Sequence, residues 1–275
     1  MSLETRTYAG DTTGTPPQRY RSRMGFLAGI GNPVQRVRPS GRDDKGQARG
    51  AAGPDAPDDA GSGAAALEEI ERRFVQVFAL VGEAIAGATH ALLACDREAA
   101  KQLVARDDEV DESIDAITTL AQRELVSGLT TEQERRELVT VLRMLPDLDR
   151  NGDLAEHVAR RAARGLGAEM SPRSRGLVER MGEVAAAIWS STADAVAERS
   201  VHLAHVVDTL DDEMDDLHVS LTAELATGTM PVPVAIELAM IGRFYERFGD
   251  HAVNLARRMA ALVAGSPEPG GAGAD

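Results

Sequence analysis

Three observations predict an all-α fold for this 275-residue chain, an elongated six-helix bundle built from two tandem three-helix repeats. Apolar residues recur at steps of three and four over most of the chain, which is the period of an amphipathic helix. Aromatic residues make up only 3% of the chain while alanine and leucine are plentiful, and helices tolerate such a core better than sheets do. Two acidic motifs of the first half recur in the second, which indicates an internal duplication.

The two ends of the chain lack this helical periodicity. Residues 1–63 and 266–275 are rich in glycine, proline and charged residues and carry no regular apolar stripe. Such segments cannot bury enough apolar surface to offset the entropy lost on ordering. We therefore expect a disordered low-complexity tail at each end of the folded region.

The first three helices follow the first tail. The apolar stripe of the first helix consists of Leu67, Ile70, Phe74, Val77, Val81, Ile85, Ala88 and Leu92. The second helix is expected from about 97 to 126 and ends before a glycine suited to a C-cap. Thr131 and Glu134 form a capping-box pattern that starts the third helix, in which Pro146 predicts a kink.

The last three helices are delimited by caps and prolines. Ser171 followed by Pro172 is typical of a helix start, with serine as the cap and proline at the first helical position. The fifth helix is expected at about 200–226. Pro231 opens the sixth, which continues to about Ala264.

The duplication is visible in two acidic motifs. Asp107-Asp-Glu-Val-Asp111 matches Asp211-Asp-Glu-Met-Asp215, and Asp149-Arg-Asn-Gly-Asp153 matches Glu246-Arg-Phe-Gly-Asp250. These matches predict a first repeat at 64–167 and a second at 171–265. In both repeats the two motifs lie on successive helices, so both repeats are expected to bury their faces against each other in one bundle.

The first and last residues of each motif are acids spaced i and i+4, and this spacing places both carboxylates on one helix face. Like charges in this arrangement destabilise an isolated helix by roughly 0.2–0.5 kcal/mol per pair, so four such pairs need an explanation. One explanation is a cation held by facing pairs on neighbouring helices; the other is a solvated face of an acidic protein. The candidate metal ligands are Asp107, Asp111, Asp149, Asp153, Asp211, Asp215, Glu246 and Asp250, with His157 and Asn254 as further candidates.

The ligand chemistry limits the choice of metal. Carboxylate oxygens suit iron, manganese and magnesium, and they also bind zinc. Gly152 and Gly249 precede the last acid of their motifs and each weaken a helix by about 1 kcal/mol, which a close approach of a helix or an ion would justify.

Composition excludes several functions. The net charge of −14 argues against a nucleic-acid-binding protein, which needs clustered cations. A single cysteine, Cys95, and the lack of a signal-peptide pattern fit a cytoplasmic protein. The apolar stretch at 74–95 is interrupted by polar residues and is expected to be a bundle helix, without membrane insertion. No phosphate-binding glycine loop or nucleophile–base pattern is found, so no enzymatic activity is expected.

The segment GRFYERFGDHAVNLARR, which contains Glu246 and Asp250, resembles the hallmark segment of the PhoU family, and DLDRNGDLAEHVARR is a degenerate copy in the first repeat. The resemblance covers about residues 64–265. It implies two three-helix bundles with iron or zinc clusters at the acidic motifs. It also implies a regulator that restrains the phosphate-starvation response through contact with a phosphate ABC transporter ATPase and a sensor histidine kinase, and a homodimer.

The first repeat departs from the family pattern. Asp149 replaces the usual glutamate and Asn151 replaces an apolar residue, so the second set of acids is expected to bind metal more tightly. Two alternatives to a metal-binding regulator remain. One is a ferritin-like di-metal carboxylate protein, although that class uses Glu-x-x-His and the nearest match here is Asp215-x-x-His218. The other is a metal-free helical scaffold.

Overall fold

The computed structural model describes residues 59–265 except 107 and 129, and those residues form helices joined by short turns. The helices are α1 (Asp59–Ala94), α2 (Arg97–Val104), α3 (Asp108–Ser127), α4 (Glu132–Arg164), α5 (Pro172–Glu198), α6 (Val201–Leu225) and α7 (Val232–Ala264), with a 3₁₀ turn at Leu166–Glu169. The predicted all-α fold with six long helices is confirmed. Helix α1 begins at Asp59, so the tail predicted at 1–63 is wrong for residues 59–63, which are helical. Residues 1–58 of that tail and the tail predicted at 266–275 lie outside the described residues.

The predicted second helix is divided into two. α2 ends at Val104, and α3 begins at Asp108 after a turn in which Arg106 N donates to Leu103 O. The break puts the acidic run at a helix N-terminus, with Asp108, Glu109 and Asp111 in the first turn of α3. Negative charge is stabilising there because of the helix dipole, whereas the same run inside a continuous helix would be destabilising.

The caps predicted from the sequence are present. The Thr131 hydroxyl accepts from Glu134 N, and the Glu134 carboxylate accepts from Thr131 N at 2.6 Å. Gly165 ends α4 in the left-handed conformation with φ of 92°. The Ser171 hydroxyl accepts from Ser174 N and starts α5. α4 continues through Pro146, which lies on its exposed side.

The core lies between two groups of helices. α1, α3 and α4 pack on one another with α2 against α1 and α4, while α5, α6 and α7 form the other group. The groups are joined by contacts of α4 with α7 and of α1 with α5. Trp189 on α5 exemplifies this joint, because its indole stacks on Phe78 of α1 and donates to the Phe78 carbonyl at 2.8 Å.

Helix α1 is the most apolar element. Residues 65–94 are long and apolar enough to cross a membrane by length and composition. The stripe predicted from the sequence is buried in the bundle: Leu67, Ile70, Phe74, Val77, Val81, Ile85, Ala88 and Leu92. One such helix is weak evidence for a membrane span, and contact with three other long helices accounts for its composition.

The contacts between α4 and α7 are reciprocal. A shift of 97 residues, which aligns the Asp149 and Glu246 motifs, also aligns Asn151 with Phe248. The fully buried Asn151 amide donates to the Phe248 carbonyl at 3.3 Å, so aligned residues contact each other across the crossing. Reciprocity of this kind is the mark of a twofold relation between two units.

Two arginines extend the same relation. Arg161 and Arg258 occupy aligned positions, and so do Phe244 and Asp147. The Arg161 guanidinium lies 4.6 Å from the centre of the Phe244 ring, while Arg258 forms an ion pair with Asp147. His251 Nδ1 is 2.9 Å from the other Asp147 oxygen. The two sides of the crossing therefore pair residues at aligned positions. One side has a cation–π contact and the other has an ionic cluster.

Candidate metal centres

The second acidic set lies between α6 and α7, which pack against each other. Asp211 and Asp215 are one turn apart on α6, and Glu246 and Asp250 are one turn apart on α7. Repulsion by Asp250 contributes to the pKa shift of each of the other three carboxyls. The structure therefore brings these four acids into one electrostatically coupled group, hereafter the second acidic cluster.

Burial and repulsion raise pKa values in the second acidic cluster. The pKa of Asp211 rises to about 7, first because its half-buried carboxyl is desolvated and then because the other carboxylates repel its charge. The pKa values of Asp215 and Glu246 are also raised, with desolvation as the largest cause. A cation among these side chains would relieve the repulsion, so the arrangement favours cation binding.

Two basic side chains lie beside this cluster. Arg243 donates to Glu246 Oε1 at 2.5 Å, so a metal that binds Glu246 must compete with this ion pair. His218 lies near Asp215 and Glu246 and partly offsets the rise in their pKa values. Because imidazole is a common ligand of zinc and iron, His218 is an additional candidate ligand. Its position three residues after Asp215, on the same helix face, was the available sequence signal.

The glycine of the second cluster marks a close approach of two helices. A Cβ atom at Gly249 would collide with Oδ1 of Asp211 on the neighbouring helix. A Cβ atom at Gly152, the aligned position in α4, would lie 3.4 Å from Val110 Cγ1, an ordinary contact. The close approach proposed for both glycines therefore applies to Gly249, where it involves a carboxylate of the cluster itself.

This difference predicts opposite effects of the same substitution. Gly249→Ala should displace Asp211 and destabilise the protein by about 1–3 kcal/mol, the usual range for overpacking. Gly152→Ala should be neutral or stabilising by up to about 1 kcal/mol, because alanine is the better helix former. Urea unfolding of the two variants tests the expectation, and equal free energies of unfolding would contradict it.

The raised pKa of Asp211 predicts a pH dependence of stability in metal-free protein. An unperturbed Asp titrates near 3.8, so the folded state holds this proton more tightly than the unfolded chain. Its stabilising contribution is complete below about pH 4 and is lost as the pH rises to about 7. After discounting for partial exposure, the loss from this group is about 1–2 kcal/mol.

The comparison of wild type with Asp211→Asn isolates this contribution. Urea unfolding with a chelator at pH 5 and pH 8 should show a larger loss of stability in the wild type, because the amide does not ionise. Parallel pH dependences of the two proteins would show that Asp211 is not held near its neutral form.

The first acidic set lies between α3 and α4, which pack against each other. Asp111 on α3 lies near Asp149 and Asp153 on α4, and the pKa values of Asp111 and Asp149 are raised by desolvation first and by repulsion from Asp153 second. Arg150 and Asp153 form an exposed ion pair at 3.3 Å. Repulsion from Asp115, one turn after Asp111, also reaches both shifted carboxyls, so Asp115 is an acid of this group that the i, i+4 motif did not include.

Three other candidate ligands have different surroundings. Asp107 lies outside the described residues. His157 Nδ1 is 2.5 Å from the Asp153 carbonyl, and its ring packs on Phe244, as expected for a hydrogen-bonded histidine of the bundle. Asn254 is exposed on α7, one turn after Asp250. Within 59–265, apart from residues 107 and 129, no three His, Cys, Asp or Glu side chains are gathered in metal-binding geometry. Metal binding by these residues stays a prediction.

The fold and the acidic sets define a class: a duplicated helical bundle in which each half brings acids from two neighbouring helices together. The family model described as "PhoU domain" matches this chain twice, at residues 74–162 and 178–259. The chain belongs to the PhoU family.

Individual relatives agree with this assignment. The chain is 34% identical over 206 residues to the phosphate-specific transport system accessory protein PhoU homolog 1 of Mycobacterium tuberculosis, covering 72% of this chain and 91% of the relative. It is 33% identical over 210 residues to PhoU homolog 2 of the same organism, covering 73% and 95%.

Solved structures show the same architecture. The crystal structure of PhoU from Pseudomonas aeruginosa matches with a TM-score of 0.68 and 29% identity, covering 74% of this chain and 99% of that one. The regulatory protein PhoU from Streptococcus pneumoniae, 21% identical, matches in fold with a TM-score of 0.64 and covers 72% and 95%.

Proposed function

We propose that this protein is a cytoplasmic, non-enzymatic regulator of phosphate uptake and of the phosphate-starvation response. The observation that carries the proposal is the segment of α7 that contains Glu246 and Asp250, because it bears the family signature and supplies half of the second acidic cluster. Two relatives that align with this chain over more than nine tenths of their own length are named as accessory proteins of the phosphate-specific transport system. A protein of this kind acts by contact with other proteins rather than by turnover.

The partners follow from the family. We expect contact with the ATPase of a phosphate ABC transporter and with a sensor histidine kinase, and assembly as a homodimer. The strongly acidic chain, with a net charge of −14, favours partner surfaces that carry basic residues.

Metal is the proposed cofactor of the acidic sets. Iron or zinc, or alternatively manganese or magnesium, would be held by carboxylate oxygens of the second acidic cluster, with His218 as a nitrogen ligand for zinc or iron. The first set would bind more weakly because Asp149 is one methylene shorter than Glu246, the residue at the aligned position. The bound cation would neutralise repulsion between α6 and α7, and it would stabilise the surface that these helices present.

The regulatory proposal is tested in cells that lack the protein. Expression of phosphate-scavenging genes should rise in medium with high phosphate, and the wild-type gene should restore repression. Capture of a transporter ATPase or a histidine kinase by the tagged protein tests the contacts. Unchanged expression in the deletion strain would contradict the proposal whatever the metal content of the protein.

A further inference from the structure

A concentration of positive charge lies on the acidic chain, away from the residues of the second acidic cluster. An open surface depression of about 300 Å³ lies between α2 and the C-terminal part of α4, and its lining consists of Arg97, Lys101, Val104, Arg160, Ala163 and Arg164. Four of the six side chains are cations, and the two apolar ones form the rest of the wall. We refer to this depression as the basic groove.

The helix registers explain why the cations converge. Arg97, Lys101 and Val104 are spaced four and three residues apart, which places them on one face of α2. Arg160 and Arg164 are four residues apart on α4, on the face that packs against α2. Both walls of the basic groove therefore carry two positive charges.

Neighbouring acids leave much of this charge unmatched. Glu156 pairs with Arg160 at 2.6 Å and Glu98 with Lys101 at 3.1 Å, and the second pair is a solvent-exposed one of little strength. Within the described part of the chain, Arg164 has no ion pair or hydrogen bond to its guanidinium. Because the cations at Arg97 and Arg164 are added to these two pairs, the groove has a local excess of positive charge, although the whole chain carries −14.

Helix-end stabilisation accounts for only part of this arrangement. Arg97 Nε donates to the Ala163 carbonyl at 2.9 Å, which caps the end of α4, and Arg164 opposes the negative end of the α4 dipole. A guanidinium has five N–H donors, and this bond uses one of those on Arg97. The bond also holds the Arg97 guanidinium at the groove wall and leaves its terminal N–H donors without a hydrogen bond to α4.

We propose that the basic groove binds a phosphate-bearing anion. Guanidinium groups recognise phosphate oxygens through paired N–H donors, and the three arginines of the groove, with the lysine at its rim, supply several donors. The volume is at the lower end of the range for small-molecule sites, which fits an oligophosphate or a nucleotide better than a large ligand. The same phosphoryl chemistry occurs on lipid headgroups, and the test separates these sources.

No residue of the groove is a candidate metal ligand. A bound anion would link α2 to α4 and reduce repulsion among the four cations, and neither effect requires a metal. Binding is therefore measured in the presence of a chelator, which removes any phosphate held through a metal at the acidic sets. Failure of the groove proposal would leave the regulatory proposal and the metal centres untouched, because their tests do not depend on an anion.

The experiment uses isothermal titration of the full chain with inorganic phosphate, tripolyphosphate and ATP, and cosedimentation with phosphatidylglycerol vesicles. We expect tripolyphosphate or ATP to bind, with an affinity that falls as salt is added. Arg97→Gln with Arg164→Gln should weaken binding at least about tenfold, since each substitution removes a guanidinium that donates charged hydrogen bonds to the anion. The matched control, Arg136→Gln with Arg173→Gln, removes two exposed guanidiniums outside the groove and should bind like the wild type.

A second variant covers the case in which the double variant does not fold. Lys101→Glu changes an exposed rim position and should weaken binding without affecting the fold. If the protein binds vesicles but none of the soluble phosphates, and the groove variants lose this binding, the proposal is supported with a lipid headgroup as the source of phosphate. Absence of binding by every probe, or equal binding by wild type and groove variants, would overturn it.

Discussion

Replacing Glu246 and Asp250 together with alanine is expected to remove most of the metal bound by the second repeat. The substitution deletes both ligands that α7 supplies and leaves Asp211 and Asp215 on α6 without partners across the helix pair. The measurement is the iron, zinc and manganese content of purified protein, by elemental analysis, after expression under identical conditions.

The controls separate ligand loss from charge loss. Glu68→Ala with Glu179→Ala removes two exposed carboxylates that lie outside both acidic sets, and it should leave the metal content unchanged. Asp149→Ala with Asp153→Ala in the first repeat should cause a smaller loss, because Asp149 is one methylene shorter than Glu246 at the aligned position. Unchanged metal in the Glu246 and Asp250 variant would remove the metal hypothesis, and equal losses from both repeats would contradict the expected ranking.

The Asp147→Ala substitution is expected to destabilise the α4–α7 crossing strongly. Asp147 is 7% exposed, and its two oxygens contact Arg258 and His251. Removing it leaves a partly buried guanidinium without its carboxylate, a change that costs about 3–5 kcal/mol when the pair is buried. Because Arg258 is partly exposed, we expect about 3 kcal/mol, measured by urea unfolding.

Thermal unfolding should show the same loss. For an ordered region of this size, about 3 kcal/mol corresponds to a decrease in Tm of roughly 6–12 °C. The matched control Glu179→Ala, at an exposed position of α5, should change stability by less than about 0.5 kcal/mol. A Tm for Asp147→Ala equal to that of the control would show that the ionic cluster adds nothing to the joint between the two halves.

Local features of the fold were predictable because the signals that determine them are close in sequence. The capping box at Thr131, the Ser171 cap with Pro172, and the apolar stripe of α1 depend on residues within one or a few turns. The break between α2 and α3 was missed because helical periodicity continues across it. There the electrostatics of the acidic run, which favours a helix N-terminus, outweighs the apolar pattern.

The candidate site was predictable in part. The i, i+4 spacing identified the four acids that form the second acidic cluster, because the spacing fixes the shared helix face. His218 lies three residues after Asp215 and Asp115 four residues after Asp111, but their part in the two sets depends on how the helices pack, which the spacing alone does not determine. Asp147 lies two residues before the first-repeat motif, but its partners Arg258 and His251 are more than 100 residues away, so no local pattern reveals its role.

The reciprocal contact of Asn151 with Phe248 has an evolutionary consequence. If two identical three-helix chains crossed in this way, the residue at this position would meet its own copy, and every substitution would appear twice. Joining the two halves in one polypeptide removes that constraint, so one copy can become polar while the other stays aromatic. The two arginine contacts show the same kind of divergence. Arg258 pairs with Asp147, whereas the aligned Arg161 lies over the Phe244 ring. Two different contacts at aligned positions require two copies of the segment in one chain.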